Sequence, residues 1–326
     1  MKTAKTLVPA FMVAALTCMS GLSAHAADLV RLGNLKFAHY GAVAYMKEIG
    51  PKYGLKIEER VFAKGLDVQT AIIAGEVDIG AGALEAAISA RASGAPIVVV
   101  AGFSAGGARI VARPDLNVTS IADLKGKKVG VTRGGPQELL LIAELQKAGL
   151  TWSDKPGKDV QLVYMVYPDL NQAIIGKNLD VISQSEPYAS QLINKGLASE
   201  VIKPYDTEVG VPVRALVMSE KFLNEKPDVA ERTMKAFVEA TAAFIADPAL
   251  AENYVRQTMF KGQLSDQDYR DAMNNATFTY DITLKQVDAT AKVMQETGVG
   301  RMANPPAAAD WVKLDLLERA KAELKK

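Results

Sequence analysis

The sequence predicts an α/β protein of two lobes with a cleft between them, two strands crossing from lobe to lobe, and a helical C-terminal tail packed on lobe one. Three observations carry that expectation. Short apolar runs alternate with segments of helical periodicity, the pattern of parallel βαβ units. The alternation runs twice, on either side of a strand-like crossing segment. From residue 219 onward nearly every segment has helical spacing, and no further βαβ unit follows.

The first series opens with LVRLGNL (29–35), a short strand. HYGAVAYMKEIGPKYG (39–54) is a turn leading into a helix whose apolar positions recur at three and four residues. KIEERVF (56–62) alternates as a half-buried strand does, LDVQTAIIAGE (66–76) returns to helical spacing, and VDIGAG (77–82) is a buried strand. ALEAAISARASG (83–94) is helical, and PIVVVAGF (96–103) is an unbroken apolar run suited to a strand covered on both faces. ARIVARPD (108–115) is the outward crossing.

The second series comprises SIADLKG (120–126), KKVGVT (127–132), PQELLLIAELQKAGL (136–150), VQLVYMV (160–166), PDLNQAIIGKN (168–178), LDVISQ (179–184), PYASQLINKG (187–196) and EVIKP (200–204), again strand and helix in turn. PVRALVMS (212–219) is one more strand, expected to return to the first lobe and to pair with ARIVARP as a two-strand hinge. Helical patterns then occupy 227–259, 265–276, 284–298 and 308–326. The expected domains are a signal peptide over 1–26, lobe one over 27–107 and 216–326, and lobe two over 108–215.

The signal peptide is expected because Lys2 and Lys5 precede an apolar run over 7–16, and Ala24, His25 and Ala26 form a small-x-small cleavage site. That run is too short to cross a bilayer, which takes about 20 residues. Cleavage removes Cys18, the only cysteine, so the mature chain has no disulfide, thiolate metal ligand or cysteine nucleophile. It also takes the 38 Lys and Arg residues to 36, against 37 Asp and Glu, for a formal charge of −1. No basic surface follows, and nucleic acid is not an expected partner. His25 leaves with the signal, and His39 remains as the sole histidine. Neither a metal site nor a cofactor is expected from such a set.

Three stretches, taken in order, resemble one family. They are KGLDVQTAIIAGEVDIGAGALEAAISARASGAPIVVVA (64–101), SIADLKGKKVGVTRGGPQELLLIAELQKAGL (120–150) and LDVISQSEPYASQLINKG (179–196). Together they resemble the periplasmic substrate-binding proteins of ABC importers for sulfonates, taurine and nitrate, whose fold is shared by thiamine-pyrimidine synthases. The resemblance implies a type II periplasmic receptor that closes on a small organic ligand and docks on an ABC permease with its ATPase. The protein is expected to be a monomer and not an enzyme.

In open α/β sheets, ligands bind beyond the carboxyl ends of the strands, where helix N-termini gather. The loops at those ends contain His39, Tyr40 and Gly41; Gly82 and Ala83; Thr132, Arg133, Gly134, Gly135 and Gln137; Tyr167; and Glu186 and Tyr188. Small residues before a helix expose backbone N–H groups that attract carboxylate, sulfonate or phosphate. Gly134 and Gly135 permit close backbone approach, Gln137 adds an amide, and Arg133 offers a charge-assisted contact or pairs with Glu138 or Glu186. Arg214 lies within the returning strand, where a charge faces the cleft or a structural carboxylate. His39 is a hydrogen-bond donor or, below about pH 6.5, a cation. Tyr40, Tyr167 and Tyr188 suit stacking on a flat ligand. Glu186 either pairs with an arginine or binds a cationic part of a ligand. An enzyme of the pyrimidine-synthase type and a periplasmic sensor are the alternatives to a transport receptor.

Overall fold

The computed structural model describes residues 26–324, so all but the last residue of the expected signal peptide lies outside the described residues. The chain begins with β1 (Asp28–Leu35), α1 (Gly41–Ile49), β2 (Leu55–Phe62), α2 (Gly65–Ile73), β3 (Ile79–Ala83), α3 (Leu84–Ala92) and β4 (Ile97–Gly106). It continues through β5 (Ala108–Ala112), β6 (Lys128–Val131), α4 (Pro136–Lys147), β7 (Trp152–Ser153), β8 (Val160–Tyr164), α5 (Tyr167–Ile175), β9 (Val181–Ser185), α6 (Tyr188–Asn194) and β10 (Ser199–Ile202). The remainder is β11 (Val213–Ser219), α7 (Glu220–Glu225), α8 (Pro227–Ala246), α9 (Pro248–Asn253), α10 (Asp266–Met273), β12 (Ala276–Phe278), α11 (Leu284–Thr297), α12 (Ala308–Trp311) and α13 (Asp315–Leu324).

Two six-stranded sheets result, ordered β12-β4-β11-β3-β1-β2 and β10-β5-β9-β6-β8-β7. In each, one strand is wedged antiparallel among parallel neighbours: β11 between β3 and β4, and β5 between β9 and β10. The apolar run IVVV of β4 is buried throughout, as a strand covered on both faces must be. Close packing of α2 on β3 requires glycine at Gly80, where a Cβ would lie 2.5 Å from Val68 Cγ1.

The hinge differs from the expected one. β5 and β11 sit in different sheets and do not pair; β11 pairs with β4 instead. The two crossings still run side by side, because the Gly106 N–H donates to the Pro212 carbonyl at 2.8 Å. Gly106 and Gly107 have φ of 80° and 77°, a left-handed conformation that only glycine adopts without strain. SIADLKG forms a single 3-10 turn with a Ser120–Asp123 capping box rather than a full strand or helix.

The tail is helical except for β12, which adds an edge strand to the first sheet. α8 packs on α1, and α13 on α8 and β4, as a coat on the first lobe. α10 and α11 also reach the second lobe, against α6 and α4. The tail therefore bridges the lobes instead of covering one alone. Among the described residues, no helix is long and apolar enough to cross a membrane.

Candidate functional site

The carboxyl ends of β1, β3, β6, β8 and β9 face one another across the cleft. β11 runs antiparallel to β3, so its first residues lie beside the last of β3, with Arg214 opposite Ala83. That placement puts a guanidinium at a cleft otherwise built from strand ends. Arg214 is only 2% exposed, and its Nη1 and Nη2 have no hydrogen-bond partner.

The lobes close on a small cavity lined by Tyr40 and Arg214 from one side and Thr132, Gly135, Gln137 and Tyr167 from the other. In this closed arrangement the cavity measures about 10 Å³, room for about one water. The Tyr167 hydroxyl donates to Gln137 Oε1 at 2.7 Å, which fixes the amide and leaves Gln137 Nε2 unpartnered. Thr132 Oγ1 is likewise buried without a partner. Ala83, Arg133 and Gly134 complete the candidate residues that line the cavity. Buried polar groups are nearly always paired, so three neighbouring side chains with open hydrogen-bonding positions make this cavity the candidate site.

Phe37 joins the two sides. Its ring lies 5.0 Å from Tyr167 and 5.8 Å from Tyr188 of the second lobe, edge to face, and 5.3 Å from Tyr40 of the first. Tyr188 thus belongs to the aromatic contact and does not line the cavity. Burial pushes the Tyr40 hydroxyl up to about 12 and raises that of Tyr167, so both remain protonated donors.

Arg133 and Gly134 stand at the cavity mouth, which opens into a larger groove between the lobes. The Arg133 guanidinium stacks 3.6 Å from the Tyr164 ring centroid, and its Nη2 lies 3.8 Å from Asp154. Its partner is therefore neither Glu138 nor Glu186. Gly134 donates its N–H to Glu138 Oε2 at 2.6 Å, so that amide is already engaged. A Cβ at Gly134 would lie 2.9 Å from Leu66, so Leu66 of lobe one seats on Gly134 of lobe two.

Several expected ligand contacts take other roles. Glu186 is fully buried, forms an ion pair with Arg109 Nε at 2.9 Å, and accepts hydrogen bonds from the Ser190 hydroxyl at 2.8 Å and Asn275 Nδ2 at 3.2 Å. It is a saturated structural carboxylate beside the hinge. Gly41 makes room for the tail, since a Cβ there would lie 2.5 Å from Val255. Gly82 lies behind the cavity against Gln69. His39 is fully buried over Gly107, with both ring nitrogens unpartnered. Burial, and then the nearby Arg214, hold its pKa well below the ordinary range, so it stays neutral and is not a cation near pH 6.

Glu85 was not among the residues expected here. It lies in the first turn of α3, 1% exposed, with Oε2 unpartnered. Burial pushes its carboxyl up to about 7, and Arg214 opposes that rise. Its only sequence signal is its place just after a strand carboxyl end. No group of three or more His, Cys, Asp or Glu among the described residues is placed to hold a metal ion.

The family described as NMT1/THI5 like matches residues 51–251, more than half of the chain. The chain belongs to the NMT1/THI5-like family. This NMT1/THI5-like chain is 25% identical over 273 residues to a Brachyspira hyodysenteriae protein named as an ABC transporter periplasmic binding protein, a match covering 77% of each. It is 29% identical over 144 residues to an Escherichia coli K12 protein named as an aliphatic sulfonates-binding protein, covering 43% of each chain. In structure it resembles the alkanesulfonate-binding protein SsuA of Xanthomonas axonopodis pv. citri, bound to MOPS. That similarity has a TM-score of 0.74 at 18% identity, over 87% of this chain and 97% of the other. The nitrate-binding protein NrtA of Synechocystis matches with a TM-score of 0.73 at 18% identity, over 91% and 89%. The fold is that of the periplasmic binding proteins.

Proposed function

We propose that the protein is a periplasmic solute-binding receptor that closes its lobes on a small organic ligand bearing an anionic group and delivers it to the permease and ATPase of an ABC importer. The observation that carries this reading is Arg214: a buried guanidinium with two unpartnered nitrogens, at a cavity between lobes that also exposes Thr132 Oγ1 and Gln137 Nε2. A buried charge is costly unless paired, and a carboxylate or sulfonate supplies the missing partner. Transport is favoured over catalysis because His39 and Glu85, which both feel the charge of Arg214, stand behind the cavity wall, and the tyrosines on that wall, Tyr40 and Tyr167, stay protonated.

Thermal denaturation of residues 27–326 against methanesulfonate, taurine, benzoate, nitrate and aminopyrimidines tests the proposal. An anion at 100 times its Kd stabilises the fold by about 2.7 kcal/mol. Absence of any shift at millimolar concentration, or turnover of the ligand that binds, overturns it.

A further inference from the structure

The two sheets carry the same arrangement of an arginine and a glutamate. In the second, the inserted strand β5 places Arg109 opposite Gln184, and Glu186 follows two residues later. In the first, the inserted strand β11 places Arg214 opposite Ala83, and Glu85 follows two residues later. All four side chains are buried. The second pair is closed, with Arg109 Nε 2.9 Å from Glu186, and Ser190 and Asn275 fill the remaining positions of that carboxylate. The first pair is open: Arg214 and Glu85 form no ion pair within 4.0 Å, and each keeps unpartnered polar atoms. Arg214 lines the cavity, and Glu85 stands behind it.

We propose that Glu85 sets the charge of the ligand the cavity accepts, taking up one proton as a monoanion settles on Arg214. The proposal rests on the reading of the cavity as an anion site. Arg214 carries a single fixed charge, and one counter-charge balances it. An ionised Glu85 fills that role while the cleft is open to solvent. An anionic ligand replaces it, and two anions beside one guanidinium in a dehydrated cavity repel each other, so the carboxylate takes a proton from the buffer. No bond other than that O–H forms.

The titratable and charged groups facing Glu85 are Arg214 from β11, Tyr40 from the turn after β1, and Tyr167 from α5. From α2, the neutral Gln69 lies against Gly82, buried and without hydrogen bonds. His39 faces Arg214 and stays neutral, and both tyrosines stay protonated. Glu85 is thus the group left to titrate near neutral pH, its carboxyl standing at about 7.

The test uses the mature protein with methanesulfonate, benzoate and nitrate as probes, at pH 6 and 8.5, in cationic buffers. The expected result is binding about 30-fold weaker at pH 8.5, from tenfold per pH unit above about 7. At pH 7 the binding enthalpy should differ between imidazole and Bis-Tris by the amount that proton uptake requires. Glu85→Gln should bind with no pH dependence. An anion that binds wild-type protein equally at both pH values, with no buffer-dependent heat, overturns the role of Glu85 and leaves the anion site standing. If none of the three stabilises the protein at either pH, the anion site itself fails and the inference falls with it. The buffer comparison uses wild-type protein alone, so a variant that does not fold leaves the result decisive.

Discussion

Replacing Arg214 by methionine separates a ligand-binding charge from a structural one. The guanidinium is 2% exposed and its terminal nitrogens make no hydrogen bond, so in the closed form it carries a desolvation cost that the charge of Glu85, not in contact with it, offsets only in part. Methionine keeps the unbranched stem and removes the charge. Exchange of buried ionic groups for apolar ones of similar volume is often neutral or stabilising by about 1–4 kcal/mol. The comparison is cleanest at pH 6, where Glu85, standing at about 7, is mostly protonated and does not become a lone buried anion. Arg214→Met should therefore unfold at equal or higher denaturant than wild type, by up to about 4 kcal/mol. Binding of the anion should weaken by about 2–5 kcal/mol, the cost of truncating one partner of a buried charge pair. Guanidinium denaturation and calorimetric titration measure the two quantities. Loss of more than about 2 kcal/mol of stability with unchanged affinity would refute the assignment and make Arg214 a structural ion.

Stability should also depend on pH through two groups of opposite sign. The Glu85 carboxyl stands at about 7 against an ordinary 4.5, so its contribution is complete below about 4.5 and is lost as pH rises through about 7. That loss amounts to about 3 kcal/mol, and it should vanish in Glu85→Gln; identical curves for the two proteins between pH 5 and 8 would remove the assignment. His39 is depressed below 6.5, so its contribution is complete above about 6.5 and is lost as pH falls and only the unfolded chain takes up the proton; His39→Gln should flatten the acid limb of the same curves. Gly134→Ala meets a φ of 79° and the Leu66 side chain, so it should weaken ligand binding at least tenfold, with part recovered by Leu66→Ala in a double-mutant cycle. Strict additivity in that cycle would mean that the Leu66 contact plays no part.

Local pattern made most of the elements legible. The unbroken IVVV of β4, the small residues of β3 and the long amphipathic α8 each state their burial in their own sequence. Pairing across long separations was not legible. Both crossing segments look like strands, but nothing local says that each is inserted into its own lobe's sheet. The site shared that limit. Thr132, Arg133, Gly134, Gly135 and Gln137 could be read from a strand end followed by Gly-Gly-Pro before a helix. Glu186 resembles them in sequence, and only the arrival of Arg109 and Asn275 from distant segments turns it into a structural group. Glu85 looks like a solvent-facing residue of ALEAAISARA until β11 lies alongside β3. Phe37 escaped notice because it falls between a strand pattern and a turn pattern.

The two buried polar clusters differ in whether their members are bonded together at the crossing or divided between the walls of the cavity. The Glu186 N–H donates to the Gly107 carbonyl, the Gly107 N–H to Asn275, and Asn275 bonds Ala108 and Glu186 in turn. Every member of that cluster is tied to the crossing itself, where a rotation of the lobes moves atoms least, so its hydrogen bonds can persist while the cleft opens. Arg214, Thr132 and Gln137 lie on opposing walls of the cavity. Opening returns water to the guanidinium, and closing removes it. On the receptor reading, closure without an anion then costs several kcal/mol of desolvation, and closure with one recovers it through charge-assisted hydrogen bonds. A charge left unsatisfied by the protein is tolerated at this site because the cleft can hydrate it, and the same incompleteness is what couples ligand capture to closure.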